Sequence, residues 1–169
     1  MRAWRDEDRA PFAELNADPT VMEFLGPPQT RAESYAAVDR QMALIAKGDP
    51  AFWAVERIEG GAFMGFIGVK AITFDAPFTP GHEIGWRLAH EFWGKGYAPE
   101  GAKAAIAHCF DNYDMPCIYS ITARDNVRSQ SVMQKIGMAR VADGDFQHPN
   151  LPRAHLLSWH VLYRIDRPA

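Results

Sequence analysis

The chain has 169 residues, 47% of them hydrophobic, which suits one compact domain with a sizeable core. Its 18 Lys and Arg against 21 Asp and Glu give a formal net charge of -3. That balance lacks the basic excess of a nucleic-acid surface and is better matched to a cationic or amine partner. No stretch approaches the ~20 apolar residues of a membrane span, and the opening MRAWRDEDRAPF has no apolar signal-peptide region, so the expected compartment is the cytoplasm.

Residues 1–5 read as the stub of a first strand, followed by a helix from about Glu7 to Ala17, N-capped by Asp6 or a neighbouring acid and stopped before Pro19. Residues 20–25 add a helical turn, ended by Gly26-Pro27-Pro28. Thr30-Arg31-Ala32-Glu33 is a capping box, and Tyr35, Val38, Met42 and Ile45 make one apolar stripe up to a stop at Gly48. Residues 51–57 and 63–73, joined around Glu59-Gly60-Gly61, are rich in aromatic and branched side chains and predict an antiparallel hairpin. Residues 75–81, with Pro77 and Pro80, form a loop. Residues 82–88 are short, apolar and aromatic like a buried strand, whereas Ala98, Ala102, Ala105, Ile106, Cys109, Phe110 and Tyr113 recur at helical spacing. A strand at 117–122 follows, then a helix N-capped by Asp125 or Asn126 that turns Val132, Met133 and Ile136 inward and stops at Gly137. Residues 139–146 and 156–165 read as a closing pair of strands. This order predicts an α/β (α+β) fold in a single domain: a mixed, mostly antiparallel central sheet with helices on both faces.

Between the central strand and the long helix lies Trp93-Gly94-Lys95-Gly96-Tyr97-Ala98. Two glycines let the backbone turn sharply and approach a ligand, at a helix end whose free N–H groups favour phosphate. Two familiar phosphate motifs fail on direct reading. GxxxxGK[ST] fails because Gly94-Lys95 is followed by Gly96 and the place five before Gly94 holds Ala89; GxGxxG fails because position 99 is Pro99. Taken alone, the turn serves equally well as a tight connection. Neither His82-Glu83 nor His90-Glu91 continues to HExxH, since Trp86 and Gly94 occupy the required places, and no metal is expected. Cys109 falls on the apolar face of the long helix and forms no CxxC pair with Cys117, so neither a disulfide nor a nucleophile is expected.

In a wider frame, Leu88 followed by Trp93-x-x-Gly96-x-Ala98 resembles the acyl-CoA signature [RQ]-x-x-G-x-[GA] of the GNAT superfamily of N-acetyltransferases. The wording WGKGYA is similar to the branch of ribosomal-protein alanine N-acetyltransferases of the Rim type. Trp93 stands where the signature has Arg or Gln. Asn126-x-x-Ser129-x-x-Val132-x-x-Lys135-Ile136-Gly137-Met138 resembles the family's NxxSxxVxxKxGF helix, with Met138 in place of the usual aromatic. The element order is also similar to the GNAT fold, so the resemblance covers nearly the whole chain, with a first strand unusually short for the family.

The resemblance implies an acyltransferase that moves an acetyl group from acetyl-CoA to a primary amine. Direct attack in a ternary complex is expected, because the chain offers no nucleophile with a base partner. The family assigns the pyrophosphate to backbone N–H groups of Gly94, Lys95, Gly96, Tyr97 and Ala98, and the pantetheine to the strand edge at Trp86, Arg87 and Leu88. Asn126 and Ser129 reach the same cosubstrate, and the Leu88 N–H is the implied donor to the oxyanion. Glu83 is the first candidate base, acting through water; His82 adjoins it, and only one of two successive strand residues faces a cleft easily. Ser129 is the candidate acid at the leaving thiolate, since no tyrosine stands in Met138-Ala139-Arg140-Val141. Acceptor specificity is expected in residues 24–28, 74–81 and 146–155. Branch resemblance points to a protein or peptide N-terminus as acceptor. An aminoglycoside, polyamine or metabolite amine, a non-catalytic acyl-CoA-binding module, and a homodimer such as the family often forms all stay open.

Overall fold

Local signals account for most elements of the computed structural model, which describes residues 1–168. A 3-10 turn at Asp6–Asp8 leads into α1 (Arg9–Ala17). Asp8, not Asp6, stands at the start of α1, but its buried carboxylate closes the 3-10 turn, accepting the Arg5 N–H at 2.8 Å and the two Arg2 Nη groups at 2.7 and 2.8 Å. The expected first strand shrinks to one antiparallel bridge between Arg2 and Ala54. Trp4 turns inward, buries its indole and donates its N–H to Phe52 O at 2.8 Å, so pairing stops there. α2 (Pro19–Met22) starts on Asp18, whose carboxylate accepts the Thr20 N–H, with proline at a position that needs no donor. α3 (Arg31–Lys47) opens on the predicted Thr30/Glu33 capping box and ends at left-handed Gly48.

The hairpin β1 (Phe52–Glu56) and β2 (Phe63–Ala71), then β3 (His82–Leu88), α4 (Tyr97–Asn112), β4 (Cys117–Ala123) and α5 (Val127–Lys135), follow the expected order. The strand expected over 139–146 is instead two short pieces, β5 (Ala139–Arg140) and β6 (Phe146–Gln147), both paired with β7 (Trp159–Asp166). Asp143, at φ 54°, turns the chain away between them. The sheet order is β1-β2-β3-β4-β7-β5, and among the described residues only β3 and β4 run parallel.

One core lies between the sheet and α4 with α5, built on Ile67, Val69, Ile84, Ala102, Ile106, Ile118, Met133 and Val161. The second joins Trp4, Phe12, Leu15, Val21 and Val38 to Ala54 and Phe66 on the opposite face. Helices therefore cover both faces. Among the described residues no helix is long and apolar enough to cross a membrane.

On β2, Gly65 has a φ of 134° that no side chain adopts easily, and a Cβ there would meet Arg87 O of β3 at 2.0 Å. Gly65→Ala is expected to cost about 2–4 kcal/mol, because the clash is with backbone and cannot be relieved by a rotamer change. A urea titration checks this as a lowered midpoint; an unchanged midpoint would mean that β2 shifts freely.

Candidate active site

The site begins with an interrupted ladder. Ala89 N–H donates to Met64 O at 2.9 Å, in phase with the Phe66–Arg87 register, so the odd-numbered residues of β3 are those bonded to β2. Ile84, Trp86 and Leu88 then turn their N–H and C=O groups towards β4. That strand meets them at its start, with Glu83 opposite Tyr119 as the single register pair. Just beyond, the Ser120 hydroxyl donates to Ile84 O at 3.1 Å, and the strands part. β4 stays bonded to β7 along its whole length. The Leu88 carbonyl accepts the Trp93 indole N–H at 2.7 Å, leaving the Leu88 N–H on the open edge.

The edge runs into the glycine turn. Gly94 and Gly96 have φ of 72° and 88°, and nothing lies within 4 Å of a Cβ added to either, so backbone conformation rather than crowding requires glycine. Gly96 caps α4 without a side-chain bond, which leaves the Tyr97 and Ala98 N–H groups free at the positive end of the helix. Across the wedge, Asn126 caps α5 and accepts the Ser129 N–H at 3.2 Å; its amide donates to Thr122 Oγ1 at 2.9 Å and Ser129 Oγ at 3.1 Å. The Ser129 hydroxyl thus has an acceptor role filled and keeps its hydrogen to donate.

These elements enclose a cavity of about 520 Å³ that extends past Trp86, Arg87 and Leu88 to Thr20, Val21, Phe24 and Leu25. A strand edge of unpaired amides ending at a helix N-terminus suits a long, amide-bearing molecule with phosphates at one end. A family model described as an acetyltransferase (GNAT) domain matches residues 1–139. The chain belongs to the GNAT acetyltransferase family. It is 28% identical over 167 residues to an Aspergillus fumigatus protein named FsC-acetyl coenzyme A-N(2)-transacetylase, covering 95% of this chain and 70% of that one. Two solved structures share the fold. A GNAT-family acetyltransferase from Bacillus anthracis has a TM-score of 0.78 at 24% identity, covering 98% of this chain and 93% of that one. A ribosomal-protein-S5-alanine acetyltransferase from Vibrio fischeri has a TM-score of 0.76 at 17% identity, covering 98% and 91%. This GNAT enzyme is an N-acetyltransferase whose cosubstrate is acetyl-CoA.

Of the residues expected to hold that cosubstrate, Trp86, Arg87, Leu88, Gly94, Gly96, Tyr97, Ala98, Asn126 and Ser129 line the GNAT cavity, and Lys95 does not. Glu83 and His82 also lie outside the lining. Glu83 is held by Lys70 Nζ at 2.6 Å across the β2–β3 pairing. His82 is half-buried, and burial lowers its pKa. Strand alternation sends the Arg87 side chain to the α1 face, where Nη1 donates to Asn16 Oδ1 at 2.7 Å.

Arg128 and Lys135 line the cavity too; the sequence reading named Lys135 only as a motif position and did not name Arg128. Arg128 bridges α5 to the turn after α2: it pairs with Glu23 and lies 5.0 Å over the Trp93 ring and 5.6 Å over Phe24. Its place inside the Asn126–Ser129 motif was the available signal, but the partners are remote in sequence. Of the expected specificity segments, Phe24 and Leu25 reach this cavity. The other two segments meet instead in a cluster of Phe74, Phe78, Tyr119, Phe146, His148 and His160, with the two imidazoles 4.9 Å apart.

Burial pushes His160 down to about 4 and also lowers His148. An unfolded histidine takes its proton near pH 6.5, so between pH 6.5 and 4 the unfolded chain binds more protons than the folded one. Stability is therefore expected to fall as pH drops through that window. Allowing for the partial exposure of His160, its share of the loss is ~1–2 kcal/mol. Urea midpoints at pH 7.5 and 4.5 test this; His160→Gln should shrink the difference between them, and an unaltered difference would acquit His160.

Proposed function

We propose that the protein acetylates the α-amine of a peptide or protein N-terminus, by direct attack on acetyl-CoA in a ternary complex. The observation that carries the choice of amine is the cavity lining: among the described residues it contains Arg87, Arg128 and Lys135 and no Asp, Glu or His. Aminoglycosides and polyamines carry several positive charges and want carboxylates around them. A lone α-amine does not.

The same lining bears on the proton. An α-amine has a pKa near ~8, so about a tenth of it is neutral at pH 7, whereas a lysine-like amine near ~10.4 is neutral in less than about one molecule in a thousand. A site without a base at contact distance is much better suited to the first. In this reading Glu83, on the same strand face as Arg87 and opposite Tyr119 where β3 and β4 begin to part, receives the remaining proton through water. His82, one residue out of phase, is left without a part in it.

The acyl donor supplies an activated thioester, and the chain holds and polarises it. Leu88 N–H on the open edge serves the acyl oxygen as negative charge develops, a contribution of ~3–4 kcal/mol in comparable sites. The turn from Gly94 to Ala98 receives the pyrophosphate with backbone donors, and the hydroxyl of Ser129 donates to the departing sulfur. The likeness of WGKGYA to the Rim-type branch supports a protein N-terminus.

Thiol release from acetyl-CoA across peptides, polyamines and aminoglycosides tests the reading. Peptides are expected to be turned over, with Ser129→Ala lowering kcat about 10- to 100-fold and Glu83→Gln about 10-fold at pH 7. The Glu83→Gln deficit should close by pH 9, where the amine deprotonates unaided. Turnover of polyamines alone, or an acetylated enzyme trapped before amine is added, would overturn it; binding without release for any amine would favour a non-catalytic module.

A further inference from the structure

The charge of the cavity is not evenly balanced. Arg128 has a carboxylate partner in Glu23. Arg87 takes part in no ion pair among the described residues. Its Nη1 donates to Asn16 Oδ1 at 2.7 Å, its Nε–H is enclosed without an acceptor, and its Nη2 is neither bonded to protein nor enclosed. Arg87 is among the residues that line the cavity, and Nη2 is the end of its fork left without a protein partner among the described residues. Among the described residues its guanidinium also lies 5.5 Å from the Phe66 ring.

Asn16 is built to hold this guanidinium without neutralising it. Ser34 donates its hydroxyl hydrogen to Thr30 O at 3.0 Å, so towards Asn16 it can only accept, and it takes the Asn16 amide N–H at 3.0 Å. The Asn16 oxygen is thereby forced towards Arg87. Both Asn16 and Ser34 are fully buried, which fixes α1, α3 and β3 around one charged fork. A charge taken from water with only a neutral amide as partner is costly, and an arriving carboxylate would offset that cost through charge-assisted bonds. Burial draws the Arg87 pKa down to about 10, so the group is still charged at neutral pH.

We propose that Arg87 is the receptor for a carboxylate carried by the acceptor itself, close to the amine that is acetylated. The inference rests on the acetyl-transfer reading above, not on its choice of a peptide acceptor, and selects amines that are also acids. Two sources share this chemistry: the α-carboxylate of a free amino acid, and the side chain of Asp or Glu as the first residue of a peptide. The phosphates of the cosubstrate are not the partner. They belong to the glycine turn and the α4 terminus on one face, while Arg87, one residue out of phase with Trp86 and Leu88, points to the other. The cation also disfavours a second positive charge beside it and so favours the neutral, reactive form of the amine.

The test compares kcat/KM for matched pairs at saturating acetyl-CoA: peptides beginning with Glu against Gln and Asp against Asn, and free amino acids against their carboxamides. The expected result is a preference for the acid of about 10- to 100-fold in one of the two sets, which also names the source. In Arg87→Gln the ratio should collapse to near unity while the KM for acetyl-CoA stays within a few-fold. Asn16→Asp gives Arg87 an internal carboxylate and should abolish the preference by a different route, which covers a failure of Arg87→Gln to fold. No preference in the parent protein, a preference that survives both variants, or a tenfold rise in the acetyl-CoA KM of Arg87→Gln overturns the proposal. Absence of turnover with every amine would count against the transfer reading, and Arg87 is then judged by calorimetry on CoA-loaded protein with N-acetyl amino acids against their carboxamides. Tighter binding of the acids supports it; equal binding overturns it.

Discussion

The parallel pairing of β3 and β4 has a single register pair, and the site exists because it goes no further. A strand buried in the middle of a sheet would normally complete its ladder, since a backbone N–H or C=O left without a partner costs ~1–3 kcal/mol. Here each strand is held from its other side. β3 is bonded to β2 along its length, while β4 is bonded to β7 from Cys117 to Ala123. Ser120 takes Ile84 O at the point of divergence, and Trp93 takes Leu88 O at the far end. What remains between them is an edge in need of partners, and a molecule with amides along its length meets that need as an added strand would.

The period of two along β3 divides the chemistry. Trp86 and Leu88 turn to the α4 side, and Glu83 and Arg87 to the α1 side, so one strand presents two sets of groups that do not compete for space. A slip of one residue would exchange the two sets. The register is therefore held strongly: Ile84 and Leu88 are buried in one core, and Arg87 is locked to Asn16 against the other.

The parts legible in the sequence are those whose signals are local. The capping box at Thr30, the glycine turn and the Asn126 cap each depend on residues within a few positions of one another, and each forms where the pattern put it. Trp93 departs from the family signature, and its indole bond to Leu88 O gives that departure a structural reason. The misreadings arise where distant contacts decide. Trp4 is drawn into the core and ends the first strand, and the left-handed Asp143 divides a strand that hydropathy ran through. Arg128 looks like a solvated helix residue until Phe24 and Glu23 are folded beneath it. Arg87 was visible as part of a cofactor-binding edge, but its lack of a counter-ion is a property of the packing around it.

Net charge illustrates the same limit from the other direction. At -3 the chain as a whole leans towards cationic partners, yet the lining of its cavity is cationic. A field inside a partly dry cleft is set by the few charges that face it, because the rest are screened by solvent within about 10 Å. The deciding residue is then one that carries no charge. Had position 16 been aspartate, Arg87 would be one half of a closed ion pair; as asparagine, itself oriented by Ser34, it fixes the guanidinium and leaves its charge unanswered. The part of the cavity's positive character that comes from Arg87 follows from that single amide.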